Sequence, residues 1–404
     1  MRELLIVGAG IAGLNAARAA AWRASNHVTL IDAHSYQTLA PRLARGAAGL
    51  AAFGQMALPL PDSDQRLTRI RGIVTAIDPA RRTVTVDDRE YGGDRLIIAV
   101  GSVPAPTPVG VPGELVHQPY TAEAAARLRL AWHRALAAAA NRRPLPGEPV
   151  RLVIVGGGAF GCELALAFAT MRPLVSARYG LPQEMVEVAL CEQAARILPE
   201  WPQRAADIVG RELYLSEVDV LTSAQVTRVS RQGLVFAGGD ERPGDIVVWA
   251  AGRRPNPLLS PDRMPLTDDG RIAVDCFLRL SQHADVYAIG DCAGAGCGWD
   301  WAIASARTAI ANAASRQPRQ EVALPPRRRF IGLPFGRLVS LAGGRFAANA
   351  WPVSQTARLL AERRVAGGLP LVLQAWPAPT PDHSLAAWRD ATERRRGRHA
   401  ERRM

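Results

Sequence analysis

The chain contains no lysine: all 49 of its Lys+Arg positions are arginine. Without lysine there is no Schiff-base amine and no P-loop lysine, so pyridoxal-phosphate enzymes and Walker-type ATPases are excluded. Aromatic residues are sparse, at 6%. No uninterrupted apolar run approaches the ~20 residues that a spanning helix needs. The first residues enter an apolar strand at Leu4 without a charged leader, so a signal peptide is not expected. Cysteine is scarce and odd in number, five in 404 residues, which points to reduced thiols in a cytoplasm. No Cys/His cluster has zinc-ligand spacing, and no metal is expected. What is abundant is core-forming residue: 48% hydrophobic against 21% charged, the balance of a globular chain of two or three domains. The net charge of +12 reads as the codon bias of a GC-rich genome or as attraction to an anionic partner. No nucleic-acid-binding motif accompanies it, and nucleic acid is not an expected partner.

The first 32 residues read strand, tight turn, helix, strand. Leu4 to Val7 is apolar, Gly8-Ala9-Gly10-Ile11-Ala12-Gly13 is a GxGxxG turn, and Leu14 to Trp22 is an Ala-rich helix. His27 to Ile31 then runs into Asp32, 19 residues after Gly13. Glycines at these positions let the backbone approach a pyrophosphate at a helix N-terminus, and the acid can accept bonds from a ribose.

The unit recurs. Arg151 to Val155 is a strand, Gly156-Gly157-Gly158-Ala159-Phe160-Gly161 repeats the turn, Cys162 to Ala169 is helical, and Val186 to Leu190 ends near Glu192. A single dehydrogenase domain needs one such unit; two imply two nucleotides held face to face. Between them lie alternating strands (Ile73 to Ile77, Thr83 to Val86), the apolar run Leu96 to Val100 ending at Gly101, a Pro/Gly-rich connection from Val103 to Pro119, and a helix from Thr121 to about Ala140. Asn141 to Pro149 is a second break. Later come Ile246 to Ala251 ending at Gly252, and Val286 to Ile289 running into Gly290-Asp291. Beyond about Arg316 short strands (Phe330 to Leu341, Phe346 to Trp351) and a helix (Ser354 to Arg364) are expected, before an arginine-rich tail.

Several segments carry a resemblance to flavoproteins with two dinucleotide folds, and among them to type II NADH dehydrogenases. Tyr36 to Leu43, with Pro41 and Arg42, and Gly49 resemble that family's segment beneath the flavin. Ala99-Val100-Gly101-Ser102 and Trp249-Ala250-Ala251-Gly252 followed by Pro255-Asn256-Pro257 resemble its two domain-crossing segments. Tyr287 to Asp291 resembles the strand that ends at the flavin's ribityl chain. The likeness covers residues 2 to about 350.

The resemblance implies an α/β chain with two Rossmann-like domains in a glutathione-reductase-like arrangement. The NAD(P)H domain (115–269) would be inserted in the FAD domain (1–114 and 270–316), with a small α+β region and tail at 317–404. It implies FAD at Gly8, Gly10, Gly13 and Asp32, with Pro41, Arg42, Val74, Gly101 and Gly290 contributing and Asp291 on the ribityl hydroxyls, the lesser alternative for Asp291 being a helix N-cap. A helix beginning near Trp301 and Ala302 would aim its dipole at the flavin. The nicotinamide nucleotide would lie on Gly156, Gly158, Gly161, Glu192 and Gly252. Glu192 favours NADH over NADPH because an acid repels a 2′-phosphate, and nearby Arg196, Arg253 and Arg254 weaken that preference. Glu163 resembles a family glutamate that assists hydride or proton passage, yet an acid in the first helical turn also simply complements the dipole.

The redox disulfide that a rival group, the disulfide reductases, carries after the first fingerprint is missing: Leu39 to Ala52 contains no cysteine. Cys292 and Cys297 have CxxxxC spacing, but in a Gly-rich loop, and a redox role there would depend on their environment. Cys191 and Cys276 read as core, and Cys162 either stands where the similar sulfide:quinone reductases carry a cysteine or is a small buried helix residue. The family's glutamine-rich stretch is replaced by Ala293 to Ala304, where Trp299 and Trp301 either stack an aromatic acceptor or pack the junction. Asp300 there is either an acid–base group or a cap. The expectation is therefore a cytoplasmic FAD-dependent oxidoreductase taking hydride from NADH and reducing a quinone-like acceptor. The alternatives are an acidic iron–sulfur redox protein as partner, or a small metabolite with the nicotinamide site idle. The tail, at residues 387–404, offers peripheral contact with anionic lipid or is simply solvated. The oligomeric state is not legible.

Overall fold

The computed structural model describes residues 2–348 except 24, 143–147, 295, 315–327, 333–337 and 343–344, with side chains through residue 314. Its helices are α1 (Ile11–Ala21), α2 (Ala40–Ala48), α3 (Phe53–Met56), α4 (Ala122–Asn141), α5 (Ala159–Tyr179), α6 (Gln203–Leu215) and α7 (Trp299–Ala314).

Two parallel sheets organise the chain. The first has six strands in the order Arg279–Leu280, His283–Ala288, Arg95–Ile98, Arg2–Val7, Asn26–Asp32, Leu67–Arg71, parallel except for the 279–280 edge. The second has five, in the order Val116–His117, Ile246–Trp249, Val150–Val155, Val186–Cys191, Asp219–Leu221, all parallel. Because strand 283–288 returns to the first sheet, the second dinucleotide fold is inserted within the first, as expected. Central strands such as Leu4–Val7 and Leu152–Val155 are buried throughout, which is why they read as continuous apolar runs rather than alternating ones.

The helices follow from their patterns. In α4 the buried Ala122, Ala125, Leu128, Trp132 and Leu136 recur every three or four residues, and the Thr121 side chain caps it by accepting from the Ala124 N–H at 3.1 Å. Helix α4 shares a core with α2 and α5, where Trp132 meets Phe168 edge-on at 4.7 Å. Helix α5 runs through Pro173 and ends on Gly180 at φ +64°.

Several expected elements shift. The strand expected at Ile73 to Ile77 is Val74–Asp78, in a three-stranded antiparallel sheet with Thr83–Val86 and Arg89–Gly92. The Val103–Pro119 connection contains ordered strands at Ser102–Pro104 and Val116–His117. Phe330 to Leu341 is not one strand but parts of two: Arg328–Gly332, Leu338–Ala342 and Arg345–Ala348 form an antiparallel sheet. The helix expected at 354–364 and the basic tail lie outside the described residues. Among the described residues, no helix is long and apolar enough to cross a membrane.

Candidate functional site: two dinucleotide cradles

The two glycine turns are built to one plan. In the first, Gly8 turns at φ +98° and its N–H donates to Ile31 O at 2.8 Å; in the second, Gly156 turns at φ +111° and donates to Cys191 O at 2.8 Å. A Cβ on Gly13 would stand 1.7 Å from Gly8 O, and one on Gly161 would stand 1.9 Å from Gly156 O. Only glycine lets each helix approach its turn so closely. By contrast, a Cβ on Gly10 or Gly158 would meet nothing within 4 Å. Each of these is the N-cap of its helix and makes no side-chain cap hydrogen bond, with open space beside it. Space and unpaired donors at a helix N-terminus suit a pyrophosphate, and the residues present fit the two dinucleotides.

The acids repeat the same plan. Asp32 accepts from the Ala9 N–H at 2.6 Å and the His34 N–H at 2.7 Å. Glu192 accepts from the Gly157 N–H at 2.7 Å and the Ala194 N–H at 2.8 Å, with 7% of the residue exposed. Arg196, which the sequence set against the NADH preference, is turned away from that task. Its guanidinium donates to Leu198 O, Pro199 O and Trp201 O, each at 2.8 Å. It braces the loop after Glu192 rather than presenting free donors to a 2′-phosphate.

The two domain-crossing segments pair with each other. Ser102–Pro104 runs antiparallel to Arg253–Pro255, with Gly101 and Gly252 at positive φ just before each strand. Asp291 stands beside them: one carboxylate oxygen accepts from Ser102 Oγ at 3.0 Å, the other from the Gly298 N–H at 2.8 Å. Asp291 is thus not the N-cap of α7; it brackets the loop that leads to that helix. Gly290 is buried at φ +71°, with its N–H on Ser305 Oγ at 3.0 Å.

Other candidates resolve differently. Trp301, expected near the start of α7, is its third residue. Its indole is 4% exposed and donates to Gly290 O at 3.3 Å, and it lies flat enough on Gly296 that a Cβ there would come within 2.5 Å of the ring. Trp301 is therefore packed into the junction. Ala302 is buried beside it, while Trp299 and Asp300 are half-buried in the first turn, so Asp300 lies inside the helix rather than capping it. Glu163 is half-buried and lies beyond the first turn of α5, which starts at Ala159; the dipole explanation for it loses its footing. Pro41 and Arg42 open α2, and Val74 pairs with Val86 and packs on the core of the first sheet.

All five cysteines are free. Cys292 is buried, donates to Ile289 O at 3.1 Å and Ile98 O at 3.4 Å, and burial pushes its thiol up to about 11. Cys297 is exposed. Burial likewise raises Cys162 and takes Cys191 up to about 11, so none of these three is a ready thiolate. Cys276, expected in the core, is exposed in a turn. The sequence placed Ser102 only within a crossing segment and Arg253 only as a charge near the nicotinamide site, and it did not mark Tyr120, because nothing local joins the three.

Comparison with known proteins agrees with this geometry. A probable NADH dehydrogenase of Dictyostelium discoideum is 27% identical over 297 residues, covering 66% of this chain, which spans 62% of that relative's length. A type II NADH:quinone oxidoreductase of Staphylococcus saprophyticus is 23% identical over 299 residues, covering 72% of this chain and 74% of its own. The structure of NDH2 from Plasmodium falciparum in complex with NADH superposes with a TM-score of 0.76 at 15% identity, over 89% of this chain and 94% of that one, a likeness of fold. The family model of the pyridine nucleotide-disulphide oxidoreductases matches residues 2–317. With its two glycine cradles, one inserted in the sheet of the other, this chain belongs to that family.

Proposed function

We propose that the chain oxidises NADH and passes the electrons, through FAD held in the first cradle, to a small quinone-like acceptor. When bound, the two cofactors supply the hydride and electron chemistry; the protein supplies orientation and electrostatics. Gly8, Gly10 and Gly13 hold the FAD pyrophosphate with the α1 N-terminus, Asp32 its ribose and Asp291 its ribityl chain. Gly156, Gly158 and Gly161 hold the nicotinamide nucleotide with Glu192 on its ribose, and Glu163 lies one turn into the helix behind that cradle.

The observation that carries the preference for NADH is the pairing of a buried Glu192 with an Arg196 spent on backbone carbonyls. A 2′-phosphate would meet a carboxylate and find no free guanidinium there. The small acceptor is supported by the cysteines: with Cys292 held protonated in the core, electrons have no thiol pair through which to leave. It is supported too by relatives described as NADH:quinone oxidoreductases. If the quinone lies in a bilayer, the basic segment 387–404 is the candidate for peripheral attachment at the inner face.

Anaerobic stopped-flow mixing tests the reading. NADH should bleach the flavin band within seconds while NADPH does so far more slowly, and a soluble ubiquinone analogue should then restore it. Flavin that stays oxidised with NADH removes the proposal. Reoxidation by a ferredoxin-type protein alone, with steep salt dependence, replaces the quinone by an acidic protein partner.

A further inference from the structure

The guanidinium of Arg253 belongs to the strand by which the chain leaves the inserted domain, yet it reaches the flavin side. Its Nε donates to Ser102 Oγ at 2.7 Å, and a terminal nitrogen donates to the Ser102 carbonyl oxygen. Ser102 Oγ has one hydrogen, and it goes to Asp291 at 3.0 Å. The polarity is consistent along the whole line: guanidinium to hydroxyl, hydroxyl to carboxylate. The plane of Arg253 also lies over the Tyr120 ring at 5.0 Å, and Tyr120 in turn stacks on Phe160 of the second glycine turn at 5.1 Å and 34°.

An exposed arginine is rarely worth fixing in place for stability alone. Arg253 is exposed, yet it is held on three sides by a hydroxyl, a carbonyl and a ring. That is the arrangement of a group whose task is orientation. Asp291 has two oxygens and two anchors, Ser102 and the Gly298 N–H. Without the first, only the Gly298 N–H holds the carboxylate, and more of the ordering cost falls on whatever ligand it binds.

We propose that Arg253 is a positioning residue for the flavin: acting through Ser102, it sets the orientation of Asp291, so that FAD retention depends on a residue contributed by the exit strand of the inserted domain. The proposal rests on the reading of Asp291 as a ligand of the ribityl hydroxyls, and the test separates the two.

The readout is the rate at which FAD leaves the diluted holoprotein, followed by the rise of free-flavin fluorescence. Loss of one net hydrogen bond is worth a factor of roughly two to ten. Arg253→Met and Ser102→Ala should each release FAD about fivefold faster, and the double variant no faster than about twofold beyond either single one, because both cut the same line. Arg253→Lys, which keeps the charge but not the two-pronged contact, should fall between. Far-UV circular dichroism of each variant checks folding; if Arg253→Met does not fold, Ser102→Ala alone carries the measurement. Asp291→Ala is the reference. Wild-type release by Asp291→Ala overturns the reading of Asp291 and the proposal with it. Fast release by Asp291→Ala with wild-type release by Arg253→Met and Ser102→Ala overturns the proposal alone. Additive effects of the two single substitutions also overturn it, since Arg253 would then act by another route.

Discussion

Glu192 accepts the Gly157 N–H at 2.7 Å, folding its carboxylate back over the second glycine turn, as Asp32 does to Ala9 in the first at 2.6 Å. The acid is thus oriented by the turn itself before any ribose arrives. A preorganised, almost fully buried carboxylate is a strong determinant of which nucleotide enters, because charged hydrogen bonds contribute about 1.5–3 kcal/mol each. Glu192→Ala should raise the KM for NADH by roughly ten- to a hundredfold and narrow the gap to NADPH. Arg196→Ala should raise the KM for both nucleotides together, since it loosens the 197–201 loop without altering charge at the ribose. Steady-state kinetics with each nucleotide reads both outcomes; an Arg196 variant that loses only NADPH activity contradicts this account.

The glycines separate folding from ligand approach. At Gly13 an added methyl has nowhere to go, 1.7 Å from Gly8 O. Gly13→Ala should therefore lower the melting temperature of the apoprotein and abolish flavin binding. At Gly10 the methyl meets nothing in the protein. Gly10→Ala should melt close to wild type, because Gly10 is an extended N-cap at φ −65°, a conformation alanine adopts without strain, and should still fail to retain the yellow cofactor. Gly158→Ala should do the same to nicotinamide binding while leaving the flavin in place. Calorimetry of the apoproteins beside visible spectra of the purified proteins distinguishes the cases.

The parts legible in the sequence are those whose physics is local. The glycine spacing, the apolar strand before it and the acid after it all lie within about 40 residues of one another, and period and turn chemistry suffice to find them. The insertion of one fold in the other followed from seeing that unit twice with a third strand beyond it. The crossing segments were legible, but the side-chain contacts that join them were not. Arg253 and Ser102 stand 151 residues apart in the chain, Ser102 and Asp291 189 apart, and only the fold brings them together. Trp301 shows a different limit. A tryptophan near a glycine-rich loop serves equally to stack a ligand or to fill a junction, and its buried indole on Gly290 O decides for the second. Arg196 is a third case: its charge was visible, its four carbonyl contacts were not.

The burial of Trp301 has a thermodynamic consequence. Truncating a fully packed tryptophan costs about 3–5 kcal/mol through lost transfer energy and the cavity left behind. Trp301→Ala should lower holoprotein stability by that amount in urea unfolding, with flavin lost in the same transition because Gly290 loses its bracing contact. Trp301→Phe should recover most of the stability. If Trp301→Ala instead kept its stability and lost only turnover with quinones, the indole would be an acceptor platform.

The buried thiols give the protein a pH-dependent stability of defined sign. Burial raises both Cys191 and Cys292 from the ordinary 9.0 to about 11 in the native state. In the unfolded chain each thiol ionises near its ordinary value, so above about pH 9 the unfolded state sheds protons that the native state still holds. The stabilisation is complete below about pH 9 and is lost as pH rises toward 11. Urea midpoints should accordingly fall between those limits, and Cys292→Ala should flatten the fall, whatever its midpoint at neutral pH. The same burial protects the thiol chemically. At pH 8 a disulfide reagent should modify the exposed Cys276 and Cys297 in the native protein and spare the other three. Replacing Cys292 and Cys297 together by alanine should leave unchanged the rate at which the quinone analogue reoxidises the reduced flavin. A slowed reoxidation would mean that the pair carries electrons after all, against a thiol held protonated in the core.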